Sequence, residues 1–187
     1  MSAQQTKDGG YILAGYTESY GAGNKDAWLI KTDSNGNEEW NRTFGGEGGD
    51  AAFSILQTAD GGYILAGGTG SYDAGMIDAW LIKTDSNGNE EWNRTYGGRD
   101  YDLGMSARQT KDGGYILVGY TESYGAGKED AWLIKTDKNG NEEWNRTFGG
   151  EIMTKEYQLN RPKTVDMYYY QVHQILIPMP HMKVVKF

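Results

Sequence analysis

The sequence predicts an all-β protein built from tandem repeats, and three observations lead to this fold class. The segment 9–15 recurs almost unchanged at 61–67 and 113–119, which sets a period of 52 residues. Each period contains short β-type runs separated by turn residues, with no helical periodicity. The composition, with 28 glycines, 3 prolines and 13% aromatic residues, is typical of a turn-rich β protein. A repeat of this length is the signature of a propeller or solenoid array.

The second copy shows the four β-type runs most clearly. They are 51–58, 63–67, 78–84 and 90–96. Asp60-Gly61-Gly62 predicts a tight hairpin between the first two, with a glycine available for positive φ. A glycine-rich loop, 70–77, precedes the third run. Asp85-Ser86-Asn87-Gly88 predicts a type I turn with a glycine bulge before the fourth run.

Four antiparallel strands in each repeat indicate a β-propeller-type blade. The second run is apolar on both faces, as expected of a strand that lies between neighbouring blades. The fourth run alternates polar and apolar residues, so we expect it to be the half-exposed outer strand. Trp28, Trp80 and Trp132 share one position of the third run and are predicted to lie in the core. A parallel β-solenoid is the alternative.

The repeat divides the chain into an array and a tail. Residues 1–150 form three blades, with units at about 2–46, 47–98 and 99–150, and the first copy starts in the middle of its unit. Beyond residue 150 the pattern ends, although 163–166 still resembles 57–60. We interpret 151–187 as a degenerate or frameshifted partial fourth blade, with an unrelated tag or tail as the alternative. The apolar stretch 165–177 is predicted to pair as β-structure on a blade edge.

The repeat sequence resembles that of β-propeller domains of archaeal and bacterial cell-surface proteins. The shared motif reads GGYILAGYT, then DAWLIKTD, then GN, W and TFGG, and it covers 2–150. The resemblance implies a propeller fold and a cell-surface or extracellular location, and it implies no particular activity.

Charge and composition exclude several function classes. The net charge of −8, with dispersed lysines, argues against nucleic-acid binding. Cysteine is absent, so disulfides and thiolate metal sites are excluded. No apolar run reaches the roughly 18 residues of a membrane span, and the first residues lack a signal-peptide core. An extracellular location would therefore require a signal that this sequence does not contain.

The loop between the second and third runs supplies the candidate ligand-binding residues. Each copy carries one tyrosine and one aspartate there, which are Tyr20, Asp26, Tyr72, Asp78, Tyr124 and Asp130. Aromatic rings beside carboxylates are suited to a sugar ring or to Ca²⁺. The alternative is structural, with the aspartate capping backbone amides at the loop end and the tyrosine covering the blade edge.

Two further motifs recur once per blade. Asp33, Asp85 and Asp137 begin turns that resemble the start of a calcium loop, but the glycine comes too early for an EF-hand, so a plain hairpin turn is favoured. No cofactor is therefore expected, and Ca²⁺ is the only candidate ion. Asn41, Asn93 and Asn145 each begin an N-glycosylation sequon on the fourth run.

No catalytic constellation is evident. The two histidines, His173 and His181, lie in the tail, so the repeats contain no histidine-based triad or zinc site. The sequence predicts a non-enzymatic surface module for binding, adhesion or self-assembly, with a glycan or surface protein as possible ligand. A carbohydrate-active enzyme using loop carboxylates is the alternative. Three blades are too few to close a ring, so we expect a homodimer, a higher ring or a filament.

Overall fold

The computed structural model of the chain describes residues 1–72, 75–126 and 128–150. The predictions for the tail, including the fourth blade and the β-structure at 165–177, lie outside the described residues. The strands are β1 (Ser2–Gln5), β2 (Tyr11–Thr17), β3 (Asp26–Thr32), β4 (Glu38–Phe44), β5 (Asp50–Gln57), β6 (Tyr63–Thr69), β7 (Asp78–Thr84), β8 (Glu90–Tyr96), β9 (Asp102–Gln109), β10 (Tyr115–Thr121), β11 (Asp130–Thr136) and β12 (Glu142–Phe148).

These strands form three four-stranded antiparallel sheets, each made of four consecutive strands. Sheet 1 is β1-β2-β3-β4, sheet 2 is β5-β6-β7-β8 and sheet 3 is β9-β10-β11-β12. Helices are absent from the described residues, which confirms the all-β prediction for that part of the chain. It follows that those residues hold no helix of the length and apolarity needed to cross a membrane.

The strand bounds in sheet 2 agree closely with the sequence pattern. The third and fourth runs coincide with β7 and β8, whereas β6 extends two residues beyond the predicted 63–67. The β5–β6 hairpin closes with Thr58 N donating to Gly62 O at 2.9 Å, and Gly61 takes the predicted positive φ of 90°. The hairpin therefore has the geometry that its turn residues predict.

The β7–β8 turn is also as predicted. Gly88 has a φ of 78° and its amide donates to Asp85 O at 3.2 Å. A bulge follows, because the pairing register shifts between Lys83 and Thr84. The turn allows the fourth strand to run antiparallel along the outer edge of the sheet, where Glu90 and Glu91 are exposed.

The apolar core lies between consecutive sheets, in two layers that we call joints. In joint 1, Ile12 and Leu29 of sheet 1 cluster with Leu65, Trp80 and other buried residues of sheet 2. Joint 2 repeats this arrangement with Ile64 and Leu81 of sheet 2 and Leu117, Trp132 and Ile134 of sheet 3. Sheet 2 is thus covered on both faces, and every residue of β6 and β7 is buried.

The prediction that the three repeat tryptophans are core residues is correct for two of them. Trp80 is 1% exposed and Trp132 is 3% exposed. Trp28 is only partly buried. The tryptophan points towards the preceding sheet, and among the described residues sheet 1 is preceded by none. The position of a sheet in the array therefore decides the burial of a residue as much as the local sequence does.

We expect the two glycines of the β5–β6 hairpin to tolerate alanine very differently. A β-carbon on Gly62 would lie 2.1 Å from Thr84 O and 2.7 Å from Lys83 Nζ, whereas one on Gly61 would meet nothing within 4 Å. Gly61→Ala should cost about 1–2 kcal/mol for the left-handed backbone. Gly62→Ala must displace backbone and should cost about 3 kcal/mol or more. Urea unfolding of both variants tests this, and equal losses would contradict it.

Candidate functional site

The predicted ligand-binding aspartates begin the third strand of each sheet, and all three are buried. They are Asp26, Asp78 and Asp130. Asp26 Oδ2 accepts a hydrogen bond from Gly23 N at 3.2 Å, and Asp130 Oδ2 accepts one from Ala126 N at 2.6 Å. These carboxylates therefore hold backbone amides of the preceding loop, which is the structural alternative considered from the sequence.

A second set of buried aspartates, not identified from the sequence, begins the first strand of sheets 2 and 3. Asp50 accepts hydrogen bonds from Thr69 Oγ1, from Ser71 Oγ at 2.5 Å and from Gly46 N at 3.0 Å. Asp102 is bound in the same manner by Ser123 Oγ at 2.6 Å and Gly98 N at 2.9 Å. The signal available in the sequence was an aspartate at the same repeat position, ahead of an apolar run.

The two sets of aspartates meet at each joint. A β-carbon on Gly45 would lie 2.5 Å from Asp50 Oδ2 and 2.6 Å from Asp26 Oδ1. One on Gly97 would lie 2.1 Å from Asp78 Oδ1 and 2.7 Å from Asp102 Oδ2. Consecutive sheets therefore place two carboxylates around one glycine of the connecting segment. A side chain larger than glycine would not fit there.

The predicted tyrosines belong to the same joints. Tyr72 donates its hydroxyl hydrogen to Gly45 O at 2.6 Å, and Tyr124 donates to Gly97 O at 2.6 Å. Their rings lie 5.6 Å from Trp80 and 5.5 Å from Trp132. Burial, followed by the charge of the nearby Asp50, raises the pKa of Tyr72 above its ordinary value. Each hydroxyl links its loop to the preceding sheet, which is the edge-covering role expected from the sequence.

An open cleft of about 370 Å³ lies beside joint 2. Its lining includes Tyr124 and Trp132 together with the polar side chains of Arg94, Glu142 and Asn145. Aromatic surface next to amide, carboxylate and guanidinium groups can stack on a sugar ring and bond its hydroxyls. Of the candidates chosen from the sequence, the cleft includes Tyr124 and the sequon residue Asn145, but not Asp130.

The sequon asparagines make the same contacts in every sheet. The indole Nε1 of Trp80 donates to Asn93 Oδ1 at 3.3 Å, and Asn93 Nδ2 donates to Glu90 Oε1 at 2.6 Å. Asn41 and Asn145 repeat both bonds. The side chain amide that would carry a glycan thus already bridges the third and fourth strands.

The aspartates of the third-to-fourth strand turns bond within their own turn. Asp33 Oδ1 accepts from Asn35 N at 2.8 Å and Asn37 N at 2.9 Å, while Oδ2 accepts from Asn37 Nδ2 at 2.8 Å. The Asn37 side chain makes the largest contribution to lowering the pKa of Asp33. Each of these carboxylates is thus used in holding its own hairpin turn together. Across the described ranges, no three Asp, Glu, His or Cys side chains are grouped so as to hold a metal ion.

A buried lysine in each third strand is the main feature that the sequence analysis missed. The three residues are Lys31, Lys83 and Lys135. Lys83 Nζ donates to Thr84 O at 2.8 Å and Glu91 Oε2 at 2.7 Å, and lies 3.1 Å from Asp60 Oδ2. Its three ammonium hydrogens are thereby used, so it acts as a structural cation rather than as a base or nucleophile. A lysine inside an otherwise buried apolar run was the available signal.

The aspartates in the first hairpins of sheets 1 and 3 have a lowered pKa, because hydrogen-bond donors and the buried lysine surround their carboxylates. The pKa of Asp8 falls to about 2, chiefly through the Thr6 hydroxyl, then through the Lys31 ammonium and the Gly10 amide. Asp112 is lowered to about 2 by the equivalent Thr110, Lys135 and Gly114. These bonds favour the ionised carboxylate, which joins the first hairpin to the lysine of the third strand.

Comparison with protein-family models gives no match to this chain, and comparison with curated proteins gives none either.

We expect acid to weaken the fold through Asp8 and Asp112. A carboxylate whose folded pKa is depressed stabilises the fold above its unfolded pKa, and this stabilisation is lost as the pH falls from about 4 to about 2. The double variant Asp8→Asn with Asp112→Asn should be less stable than the wild type at pH 7, and the gap should narrow towards pH 2. Urea unfolding at pH 7, 4 and 2 measures it, with the exposed Glu47→Gln as control. A gap independent of pH would contradict the assignment.

Proposed function

We propose that this chain is a non-enzymatic β-propeller-type module of a cell-surface or extracellular protein, acting in binding, adhesion or self-assembly. In this proposal each sheet is one blade, and the ring is completed by oligomerisation. Three observations support it: the period of 52 residues, the four consecutive antiparallel strands of each sheet, and the face-to-face core between consecutive sheets. The resemblance of the repeat sequence to propeller domains of surface proteins supports a cell-surface or extracellular location.

The main support for the proposal is the exposure of apolar side chains on the two outer faces of the array. We call the face of a sheet that packs on the preceding sheet its leading face, and the opposite one its trailing face. The leading face of sheet 1 comprises Tyr11, Leu13, Trp28 and Ile30, and the trailing face of sheet 3 comprises Ile116, Val118, Leu133, Trp144 and Phe148. Their equivalents in the joints form the apolar core.

Burial differs sharply between equivalent positions of these faces. Phe148 is 61% exposed, whereas its equivalent Phe44 in joint 1 is 8% exposed. Tyr11 is 41% exposed, whereas Tyr63 is 2% exposed. Apolar patches of this kind on a protein surface mark interaction sites. Both ends of the array thus carry a surface whose chemistry is that of a sheet-to-sheet core.

The polar sites of the joints support a scaffold role for the sheets. The aspartates, serines and tyrosines there bond to one another and to backbone, so they fix the geometry of the connecting segments. The cleft beside joint 2 combines aromatic and polar side chains, and we propose a glycan or a surface protein as its ligand. The three sequons, which lie on the outer edge strands, are proposed glycosylation sites in a secretory host.

Self-assembly should be visible in the mass of the protein in solution. We expect light scattering at micromolar concentration to give a mass above the 20.8 kDa of one chain. Phe148→Asp should shift the protein towards monomer, because a charge on this face would be desolvated by a docked partner. Ser86→Asp adds the same charge in an exposed turn of sheet 2 and should leave the mass unchanged. A well-folded wild-type monomer would contradict self-assembly.

Ligand binding at the cleft is tested separately with a glycan array and a hydrolysis screen. We expect binding without turnover, and we expect Tyr124→Ala to weaken it by about tenfold or more, since an aromatic contact with a ligand contributes about 1–3 kcal/mol. Ser86→Ala, away from the cleft, should bind as the wild type does. Hydrolysis of a glycan that is lost with Glu142→Gln would instead support a carbohydrate-active enzyme.

A further inference from the structure

Both internal joints contain the same set of contacts, and the outer faces carry the unmatched halves of that set. The 52-residue period assigns each residue its equivalents. In joint 1 the ring of Trp40, on the trailing face of sheet 1, lies 6.0 Å from that of Tyr63 on the leading face of sheet 2. In joint 2 the rings of Trp92 and Tyr115 are 5.7 Å apart. The equivalent residues on the two outer faces are Trp144 of sheet 3 and Tyr11 of sheet 1, and both are exposed.

A turn packs on the same tryptophan in each joint. A β-carbon on Gly88 would lie 2.5 Å from the Trp40 ring, and one on Gly140 would lie 2.7 Å from the Trp92 ring. The equivalent turn of sheet 1 contains Gly36, where a β-carbon would meet nothing within 4 Å. The turn of sheet 1 therefore has open space at the place where the other two turns contact the preceding sheet.

A hydrogen bond from a tyrosine to a glycine carbonyl is repeated at the loop end of each joint. Tyr72 and Tyr124 donate to the carbonyls of Gly45 and Gly97 on the preceding sheet. Tyr20 is the equivalent donor of sheet 1 and is 64% exposed. Gly149 carries the equivalent carbonyl at the end of sheet 3 and is exposed as well.

A second hydrogen bond lies at the hairpin end of each joint. Lys7 N donates to Gln57 Oε1 and Ala59 N donates to Gln109 Oε1, both at 3.0 Å. Gln57 is oriented by its own bond from Nε2 to Gly61 O at 3.3 Å, and Gln5 makes the same local bond to Gly9 O at 3.4 Å. Gln5 on sheet 1 is thus held in the same local arrangement as its equivalent in joint 1.

From these four series we infer that a second copy of this chain docks between the two outer faces, in the register of the internal joints. The leading face of sheet 1 of one copy packs on the trailing face of sheet 3 of the other. In this contact Tyr11 meets Trp144, the turn at Gly36 covers that tryptophan, Tyr20 donates to Gly149 O, and Lys111 N donates to Gln5 Oε1. The inference rests on the proposed self-assembly and adds which faces meet and in which register.

The docking pairs two different faces, so it is heterologous. Like faces do not reproduce the joints. The tyrosine donors, the glutamine acceptors and the turns lie on leading faces, whereas the glycine carbonyls, the backbone amides that bond to glutamine and the tryptophans lie on trailing faces. The core positions of the trailing face of sheet 3 match those of the internal joints at all but two places. Val118 stands where both joints have alanine, and Arg108 stands where they have Gln4 and Leu56. The same contact either closes into a ring or extends as a filament.

Single cysteines test the register, since the chain has none of its own. A β-carbon on Gly46 would lie 3.0 Å from Ser71 Cβ, and one on Gly98 would lie 2.8 Å from Ser123 Cβ. These separations come close to disulfide geometry after a small shift. The next pair in the series is Gly150 with Ser19, both exposed and on opposite outer faces. The variants Ser19→Cys and Gly150→Cys are mixed in equal amounts, oxidised mildly and analysed by non-reducing electrophoresis and mass spectrometry.

We expect the mixed disulfide dimer to exceed either homodimer by about tenfold, because docking raises the effective concentration of this pair alone. Gly98→Cys with Ser123→Cys in one chain is the positive control and should close internally. Ser86→Cys mixed with Gly150→Cys is the negative control. The statistical mixture of homodimers and mixed dimer expected from random collision would overturn the inference. The absence of any cross-link, when the internal control closes, would overturn it as well.

The outcomes also separate this inference from the proposed function. If the wild type assembles and Phe148→Asp prevents it, but the mixed disulfide is absent, self-assembly stands and the pairing of faces is wrong. If the wild type is monomeric, self-assembly itself is wrong.

Discussion

Every sheet of this chain is apolar on both faces, and the rest of the structure depends on this constraint. An antiparallel sheet with one polar face can stand at a protein surface, but a sheet such as β5–β8 must be covered on both sides. Sheet 2 meets this requirement, since all residues of its two middle strands are buried. Within the described residues, sheets 1 and 3 meet it on one side only. Stability is therefore a property of neighbouring pairs of sheets, as in other repeat proteins, rather than of any sheet by itself.

Polar groups inside the joints restrict how the apolar faces can slide. Apolar surfaces pack in several registers at similar free energy, whereas a buried hydrogen bond fails when its partner moves away. Asp50, Ser71 and Gly46 form one such constraint at the loop end, and Gln57 forms another at the hairpin end. Within each sheet, the buried lysine and its carboxylate partners fix the strands relative to one another. Lys83 has carboxylates from the first hairpin and the fourth strand, so it connects elements that are not adjacent in the sheet.

Local sequence predicted the strands and turns well, because those features depend on residues close together in the chain. Gly61 and Gly88 have the positive φ that their turns require, and β7 and β8 begin and end where the runs do. The site was predicted less well. The predicted tyrosines and aspartates lie in one region, but their contacts could not be read from the sequence. The aspartates bond to amides of their own loop, and the tyrosines bond to the preceding sheet. Asp50 and Lys83 were missed because a charged residue in a β-run is normally taken as solvent-facing, and only the packing of the next element shows that it is buried. The exposure of Trp28 depends on which sheet precedes it.

The repetition of one joint has an evolutionary consequence. Because the two internal joints are built from equivalent positions, a gene that gains or loses one internal repeat would create no new kind of interface. Unequal recombination between the near-identical coding segments could thus lengthen or shorten the array by a sheet at a time, with each product built from contacts already present. Selection would then act on the number of sheets and on the two ends of the array, while the joint itself stays the same.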